Sequence, residues 1–344
     1  MTADERFLIT GAYGCVGAWT VRHLIEEGCE VVTFDLGEDP RRLRLVLDDE
    51  QITRVTRVHG DITELDVLED VLDRHSITRV IHLAALQVPF CRADPPLGAR
   101  VNVVGTVNVF EAAKRRRDRI AHVVYASSIA VYAAREVANA PPTDMGGAPP
   151  STIYGVYKRA NEGTASVYFE EEGVSSIGLR PHTVYGPGRD QGLTSAPTMA
   201  MLAAAAGLPY RIPFGGRCQM QYGRDVAAAF VHASRADYTG ATVHNLPGHA
   251  VSMAEVVQAI EAAAPEATGT IGYGTVGLPF PEEVDARSLA GVIGEHTDIS
   301  FAAGVRDAIE RFRGLLESGL VTIDALPRTE SPTSTNTAPD AADR

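Results

Sequence analysis

The stretch FLITGAYGCVG, from Phe7 to Gly17, decides the fold of this 344-residue chain. An apolar run ends at Gly11, and Gly14 and Gly17 follow ahead of a helical pattern. Glycines in this arrangement permit a tight turn, a close approach of pyrophosphate to the backbone, and close packing of the helix on the strand. The free N–H groups of the helix N-terminus then face the phosphates. A glycine-rich turn without a ligand is the alternative, so the context must decide.

The segments around this loop alternate between strand and helix. Runs such as RVIHLAA and HVVYASS are apolar on both faces, as in strands that helices cover on two sides. The predicted strands are 7–10, 30–35, 54–59, 79–83, 121–127 and 174–180, and the predicted helices of this part are 16–27, 64–74, 97–116 and 152–172. The alternation predicts an α/β fold with a Rossmann-like, doubly wound parallel sheet.

Two carboxylates follow strands where a dinucleotide would lie. Asp35 ends the second predicted strand in VVTFD, at the position that accepts hydrogen bonds from the adenine ribose. It would repel a 2′-phosphate, so we expect NAD, while the nearby Arg41 and Arg42 keep NADP open. Asp61 follows the third strand and is expected at the adenine edge, with a helix N-cap as an equal alternative.

The sequence pattern changes near residue 187, where glycines and prolines begin to interrupt the regular segments. Residues 1–186 are predicted to form an NAD-binding Rossmann domain, and the Gly- and Pro-punctuated residues 187–326 a mainly substrate-binding region interleaved with it. Helices are predicted in the second region at 198–206, 224–234, 253–264 and 303–317. Residues 327–344 lack the apolar side chains needed to offset ordering entropy, so we expect a disordered tail.

Composition narrows the function classes. A formal net charge of -13 argues against a nucleic-acid surface, because phosphate binding needs a concentrated basic face. The four cysteines form no Cys-x-x-Cys pair, so neither a metal site nor a disulfide framework is predicted and we expect a reducing cytoplasm. No apolar run is long enough to span a bilayer, so no membrane partner is expected.

A tyrosine and a lysine share one helix face in TIYGVYKRANE. Tyr154 and Lys158 are four residues apart, and Lys114 is the only other lysine of the chain. A neighbouring ammonium favours phenolate and lowers the pKa of a tyrosine, ordinarily near ~10. Its compact charge and three donors are not replaced by a guanidinium. Ser128 ends the fifth strand at the carboxyl edge, with Ser127 as its competitor, while Tyr157 is better explained by packing.

Taken together, these stretches resemble the extended short-chain dehydrogenase/reductases, also called the NAD-dependent epimerase/dehydratase family. The segments TGAYGCVG, HLAA, NVVGTVNVFEAA, ASSIAVY, YGVYK and LRPHTVYGPG occur in family order over roughly residues 5 to 320. The resemblance implies that Tyr154 is the acid/base, that Lys158 lowers its pKa and holds the nicotinamide ribose, and that Ser128 donates a hydrogen bond to the substrate oxygen. It also implies a homodimer through the long helices at 97–116 and 152–172.

The resemblance and the position at the sheet edge together give the expected contacts. The expected NAD contacts are Gly11, Tyr13, Gly14, Cys15, Val16, Gly17, Asp35, Asp61, Ile62, Leu83, Ala84, Ala85, Asn102, Tyr154, Lys158 and Pro181. The expected contacts with a small-molecule substrate are Gln87, Arg92, Ser128, Tyr154, Thr183, Arg189 and Arg217. The alternative for Arg92 is a solvated surface charge. His182 is a further candidate for a substrate contact, and its alternative is a role in packing.

Departures from the family patterns indicate the type of reaction. Ile129 and Ala130 stand where family dehydratases carry Asp and Glu, so dehydration is not expected. By the same resemblance, nucleotide-sugar epimerases carry an Asn that helps to hold the diphosphate and, further along the chain, an Arg. Thr183 and Cys218 stand at these two positions here. We therefore expect NAD-dependent oxidation of a small polar substrate, such as a sugar, sugar acid or hydroxy acid. The alternatives are an NAD-dependent nucleotide-sugar epimerase and, less favoured, a non-catalytic NAD-binding sensor.

Overall fold

The computed structural model describes residues 5–133, 143–144, 149–294, 296 and 298–326. The predicted disordered tail, 327–344, lies outside the described residues. The strands of the described part are β1 (Arg6–Thr10), β2 (Glu30–Asp35), β3 (Val55–His59), β4 (Arg79–His82), β5 (His122–Ala126), β6 (Ser175–Arg180), β7 (Thr183–Tyr185), β8 (Tyr210–Ile212), β9 (Arg217–Tyr222), β10 (Ala241–Asn245), β11 (His249–Ser252) and β12 (Ile271–Tyr273).

Helices follow most of these strands. Those of the described part are α1 (Cys15–Glu26), α2 (Arg41–Arg44), α3 (Asp49–Thr53), α4 (Leu65–Arg74), α5 (Val88–Ala93), α6 (Pro95–Ala99), α7 (Gly105–Lys114), α8 (Ile153–Glu172), α9 (Ala196–Ala205), α10 (Gly223–Arg235), α11 (Met253–Ala263), α12 (Ala290–Ile293) and α13 (Phe301–Glu317). None of the helices in this part of the chain combines the length and apolarity needed to cross a membrane.

The main sheet has seven strands in the order β10, β6, β5, β4, β1, β2, β3. Every neighbouring pair in it is parallel. The strand order reverses between β1 and β4, and ligands of doubly wound sheets bind beyond the carboxyl ends at such a point. The predicted fold class is confirmed, and the functional site is expected at the ends of these two strands.

The strands are apolar throughout because helices cover both faces of the sheet. In β1, Phe7 and Ile9 belong to one hydrophobic cluster and Leu8 to another, and all three side chains are fully buried. Alternate residues of a strand point to opposite faces, so both faces of β1 require apolar side chains.

The chain after β6 builds two smaller sheets and also returns to the main one. β10 pairs in parallel with β6, while β7, β9 and β11 form a three-stranded sheet and β8 pairs with β12. The sequence analysis missed these strands because runs of three to six residues between glycines and prolines give a weak pattern.

The predicted helix 97–116 is not one continuous α-helix. It consists of α6, a π-helical turn at Arg100–Val104, and α7. The side chain of Asn102 in this turn accepts a hydrogen bond from Leu86 N (2.7 Å) and donates one to Leu86 O (2.9 Å). The widened turn therefore directs Asn102 against the segment that follows β4, a tertiary interaction that helical periodicity does not reveal.

Candidate active site

The loop between β1 and α1 is shaped for close approach of a ligand. Gly11 has φ +68°, and a Cβ there would lie 2.5 Å from Ala84 N. A Cβ at Gly17 would lie 2.4 Å from Gly11 O, so the helix packs directly on the loop. Gly14 is the N-cap of α1 and has no side chain to cap its first turn. A pyrophosphate fits this cradle, because glycines keep side chains away and the helix N-terminus offers N–H groups.

A cavity of about 500 Å³ adjoins one side of this loop. Asp35 lies in its wall, where Oδ2 accepts from Tyr13 N (2.8 Å) and Oδ1 from Gly37 N (2.9 Å). The predicted cofactor residues that line the cavity are Gly11, Tyr13, Gly14, Asp35, Asp61, Ile62, Leu83, Ala84 and Ala85. Two backbone donors hold the Asp35 carboxylate at the position expected for the adenine ribose, so this cavity suits the adenosine half of a dinucleotide.

The Asp61 carboxylate does not cap a helix. Its Oδ1 accepts hydrogen bonds from the backbone N and the hydroxyl of Thr63, both at 2.9 Å. The N-cap of α4 is Glu64, so the N-cap alternative for Asp61 is wrong. Asp61 instead faces the adenosine cavity.

A second cavity of about 200 Å³ lies on the other side of the glycine loop. Both cavities share Gly11, Gly14, Leu83, Ala85 and Gln87, so they adjoin each other along the glycine loop, and we refer to them together as the groove. The other predicted residues that line this second cavity are Cys15, Val16, Gly17, Ser128, Tyr154, Lys158, Pro181, Thr183 and Arg189. The structure thus brings the three expected catalytic side chains to the end of the groove opposite the adenosine cavity.

A close helix contact places Tyr154 beside Ser128. Thr152 caps α8 by accepting from Gly155 N (3.0 Å), and a Cβ at Gly155 would lie 2.0 Å from Ala130 O. Only a glycine permits this approach of α8 to the turn after β5. The side chains of Ser128 and Tyr154 thereby line the same cavity. Lys158 Nζ donates to Ala126 O (2.7 Å), the last residue of β5.

Burial controls the protonation of this pair. Desolvation lowers the pKa of Lys158 from 10.5 to about 8. It also raises the pKa of Tyr154, although the hydrogen bond from Ser128 acts in the opposite direction. The expected lowering of the tyrosine pKa is therefore not found in the cofactor-free protein, because burial of the phenol outweighs the effect of its neighbours.

A buried ion pair lies behind the catalytic turn. Glu162 is four residues beyond Lys158 on α8, and its carboxylate accepts from Arg180 Nε (2.7 Å) and Nη2 (2.9 Å). Ser127 donates to Glu162 Oε1 at 2.5 Å. Ser127 also lines the smaller cavity, but its hydroxyl is bound to Glu162, which favours Ser128 as the catalytic serine. The sequence analysis missed Glu162 and Arg180, although the spacing of Lys158 and Glu162 was a signal for a shared face.

Family membership follows from a comparison of sequences. A family model described as NAD dependent epimerase/dehydratase family matches residues 7–246. The chain belongs to this family. It is an NAD-dependent enzyme, as predicted, and the glycine cradle and Asp35 fit the cofactor.

Relatives in this family include sugar-nucleotide epimerases. UDP-glucuronate 4-epimerase 5 of Arabidopsis thaliana is 34% identical over 187 residues, which cover 52% of this chain and 42% of that protein. The chain thus spans less than half the length of this relative. UDP-glucose 4-epimerase of Thermus thermophilus, solved with NAD, is 25% identical with a TM-score of 0.75, covering 90% of this chain and 99% of the other.

The same fold occurs in a dehydrogenase. L-threonine dehydrogenase of Clostridium difficile has a TM-score of 0.78 at 21% identity, with 92% of this chain and 99% of the other covered. At that identity the likeness shows the fold of this family and not the reaction.

Three residues that we expected to contact the substrate or NAD do not line the groove. Arg92 is exposed on α5, and Arg217 is exposed on β9, where it pairs with Glu255 (3.5 Å). Neither lines either of the two cavities. Asn102 is buried behind Leu86, so it supports the wall of the groove and does not face NAD directly.

Tyr157 and His182, for which the sequence suggested packing, both contact backbone carbonyl groups. Tyr157 donates to Pro95 O (2.9 Å) and lines neither of the two cavities, as expected of a packing residue. His182 is buried with Nε2 2.7 Å from Pro281 O, while it also lines the smaller cavity. Burial lowers the pKa of His182 to about 4, so its ring is neutral. Phe280, Leu193 and Thr194 complete the cavity and were missed, because they lie in loops without a motif.

Proposed function

We propose that this enzyme oxidises a secondary alcohol of a small polar substrate, such as a sugar, sugar acid or hydroxy acid. The observation that supports this proposal is the convergence of Ser128, Tyr154 and Lys158 in one cavity that continues into the NAD groove. Bound NAD supplies a hydride acceptor. The protein must then remove the hydroxyl proton of the substrate and hold its carbinol carbon towards the nicotinamide end of the groove.

Each of the three side chains has a role in this proposal. Tyr154 gives up its own proton to the relay and then, as the phenolate, accepts the hydroxyl proton of the substrate, since its oxygen lies in the cavity beside Ser128. Ser128 orients the substrate oxygen beside that hydroxyl. Lys158 uses one N–H on Ala126 O and has two further N–H groups for the cofactor ribose and a proton relay. Its positive charge favours the phenolate form of Tyr154 as the proton moves.

A guanidinium in the same cavity favours an anionic substrate. Arg189 Nη2 donates to Thr194 Oγ1 (2.9 Å), while its Nε is buried and has no hydrogen-bond partner among the described residues. No carboxylate of the described chain forms a salt bridge with Arg189, and its charge acts on Tyr154. A substrate carboxylate would supply the missing partner. Together with a cavity of about 200 Å³, this supports a sugar acid or hydroxy acid.

An epimerase of a nucleotide-linked sugar acid is the second candidate. It is favoured by the names of the relatives, which include UDP-glucuronate 4-epimerases of Arabidopsis thaliana. Such an enzyme would keep NADH and return the hydride to the substrate. A non-catalytic sensor is disfavoured, because it would have no need of Ser128, Tyr154 and Lys158 in one cavity.

A substrate panel distinguishes these candidates. The purified enzyme with excess NAD is given free sugars, sugar acids, hydroxy acids and UDP-sugars, and the near-ultraviolet absorbance of NADH is followed while products are separated. We expect NADH with an acid, and little with the matched neutral sugar. An Arg189→Gln variant should lose this preference for the acid. Exchange between UDP-sugar isomers without net NADH would replace the proposal with the epimerase.

We also propose a homodimer formed through α6 to α8. Leu97, Val104, Val156 and Val167 are exposed apolar side chains on these segments, and Val156 is 50% exposed. Covering such side chains is favourable in water. Sedimentation analysis of the wild-type protein and a Val156→Asp variant would test this interface. The four free cysteines fit the proposed cytoplasmic location.

A further inference from the structure

One carboxylate joins two loops that are distant in sequence. Asp190 lies between β7 and α9, and its Oδ1 accepts from Arg42 Nη2 (2.7 Å) and Nε (3.0 Å). Its Oδ2 accepts from Arg41. Both arginines belong to α2, which follows β2, and Arg42 is 148 residues from Asp190. We call these three residues the clasp.

The clasp lies where the two halves of the groove meet. Arg41 and Arg42 line the adenosine cavity, and so does Gln191, the residue after Asp190. Arg189, the residue before Asp190, lines the second, smaller cavity together with Ser128, Tyr154 and Lys158. The loop with Asp190 therefore lies where the two cavities meet, since the residues before and after Asp190 line different cavities. A dinucleotide that occupied both cavities would pass this junction.

The segments on the two sides of the clasp are also hydrogen-bonded, one to the glycine loop and the other to α1. Arg42 Nη1 donates to Tyr13 O (3.0 Å) in the glycine loop. On the other side, Trp19 Nε1 of α1 donates to Pro187 O (3.0 Å). The side chains of Arg42 and Asp190 are 21% and 19% exposed, so water screens their attraction only in part. The clasp is thus a partly shielded, charge-assisted link between α2 and the loop with Asp190.

We propose that the clasp closes the cofactor groove and sets the rate at which NAD leaves it. Release requires the loop with Asp190 to move away from α2, which separates the carboxylate from both guanidinium groups. The inference depends on NAD binding and holds for a dehydrogenase or an epimerase. In a dehydrogenase, opening of the clasp precedes each exchange of NADH for NAD. In an epimerase, it keeps the cofactor in place between turnovers.

Cofactor release can be measured without a substrate. The full chain is loaded with NADH and mixed with excess NAD, and the loss of NADH fluorescence gives the dissociation rate. An Asp190→Asn variant keeps the size of the side chain and removes its charge, and should release NADH about five- to tenfold faster. As a control, Asp70→Asn removes a carboxylate that pairs with Arg74 on α4, and should release NADH at the wild-type rate.

A double variant separates the clasp from general damage to the loop. The side chain of Arg41 is 50% exposed, so Arg41→Gln should leave the melting temperature of the cofactor-free protein unchanged while it accelerates release. Because both substitutions break one link, the double variant should release NADH no faster than Asp190→Asn alone. A wild-type rate in both single variants, or fully additive rate increases in the double variant, would overturn the proposal.

Discussion

The Nζ atom of Lys158 lies 5.8 Å from the centre of the Tyr154 ring and donates a hydrogen bond of 2.7 Å to Ala126 O. The ammonium is thus anchored to the end of β5 by one of its protons. It is buried with the phenol in the same cavity, where a charge is costly without further partners. A cofactor ribose would provide such a partner, which links NAD binding to the charge of Lys158.

The first prediction concerns the pH dependence of NAD affinity. Lys158 loses its proton as pH rises through about 8 in the cofactor-free protein, so NAD affinity should fall across that pH. Titrations of the wild type by fluorescence, from about pH 7 to about pH 9, measure this effect. In Lys158→Met the affinity should be lower and independent of pH in this range. A wild-type affinity that does not change would contradict the assignment of the ammonium to the cofactor.

The stability of the cofactor-free protein should change in the opposite direction. The pKa of Lys158 is lower in the folded protein than its ordinary value of 10.5, so burial penalises the charged form. That penalty is complete below about pH 8 and is relieved as pH rises from there towards 10.5. Denaturant unfolding of both proteins measures this effect: the wild type should gain stability relative to Lys158→Met as pH rises from about 8 towards 10.5.

The second prediction concerns the ion pair of Glu162 and Arg180, whose side chains are 6% and 2% exposed. Glu162→Gln leaves a buried guanidinium without its counter-charge and should cost about 3–5 kcal/mol in the free energy of unfolding. Arg159 also contacts Glu162 but is 53% exposed, so Arg159→Gln should cost less than about 1 kcal/mol. Urea unfolding measures both.

A double variant tests whether the cost comes from the unpaired charge. Glu162→Leu with Arg180→Met removes both charges and should be destabilised less than Glu162→Leu alone. If the two substitutions destabilise additively, the ion pair is not the source of the effect.

The third prediction concerns cofactor choice. Asp35→Ala removes the carboxylate that would repel a 2′-phosphate, so the preference for NAD over NADP should fall by about tenfold. Arg41 and Arg42 are bound to Asp190, so NADP should gain little affinity from them. Dissociation constants for both cofactors measure the ratio, with Glu38→Ala as an exposed control outside the adenosine cavity. An unchanged ratio would mean that Asp35 does not face the ribose.

The fold was predictable because the decisive interactions are local. The turn was predicted from glycines at 11, 14 and 17, which lie close together in sequence. The sheet covered on both faces was predicted from short apolar runs such as 79–83. Tyr154 and Lys158 were singled out by helical spacing, and Ser128 by its place near the carboxyl end of a strand, although β5 ends two residues earlier, at Ala126. These signals survive in a single sequence, since each depends on neighbours along the chain.

The remaining features depend on tertiary contacts. The π-helical turn at Asn102 serves a contact with Leu86, and the exposure of Arg217 follows from its place at the start of β9. Asp190 meets Arg42 only after 148 residues of intervening chain have folded. The raised pKa of Tyr154 results from burial, which no spacing of residues encodes.

The most direct test of the central claim is the turnover of Tyr154→Phe with the best substrate from the panel. The variant retains the ring and loses only the hydroxyl, in the cavity that Ser128 also lines. We predict that kcat falls by about a hundred- to ten-thousandfold while the dissociation constant of NAD stays close to the wild-type value. A wild-type kcat in this variant would show that Tyr154 is not the acid/base and would contradict the proposed mechanism.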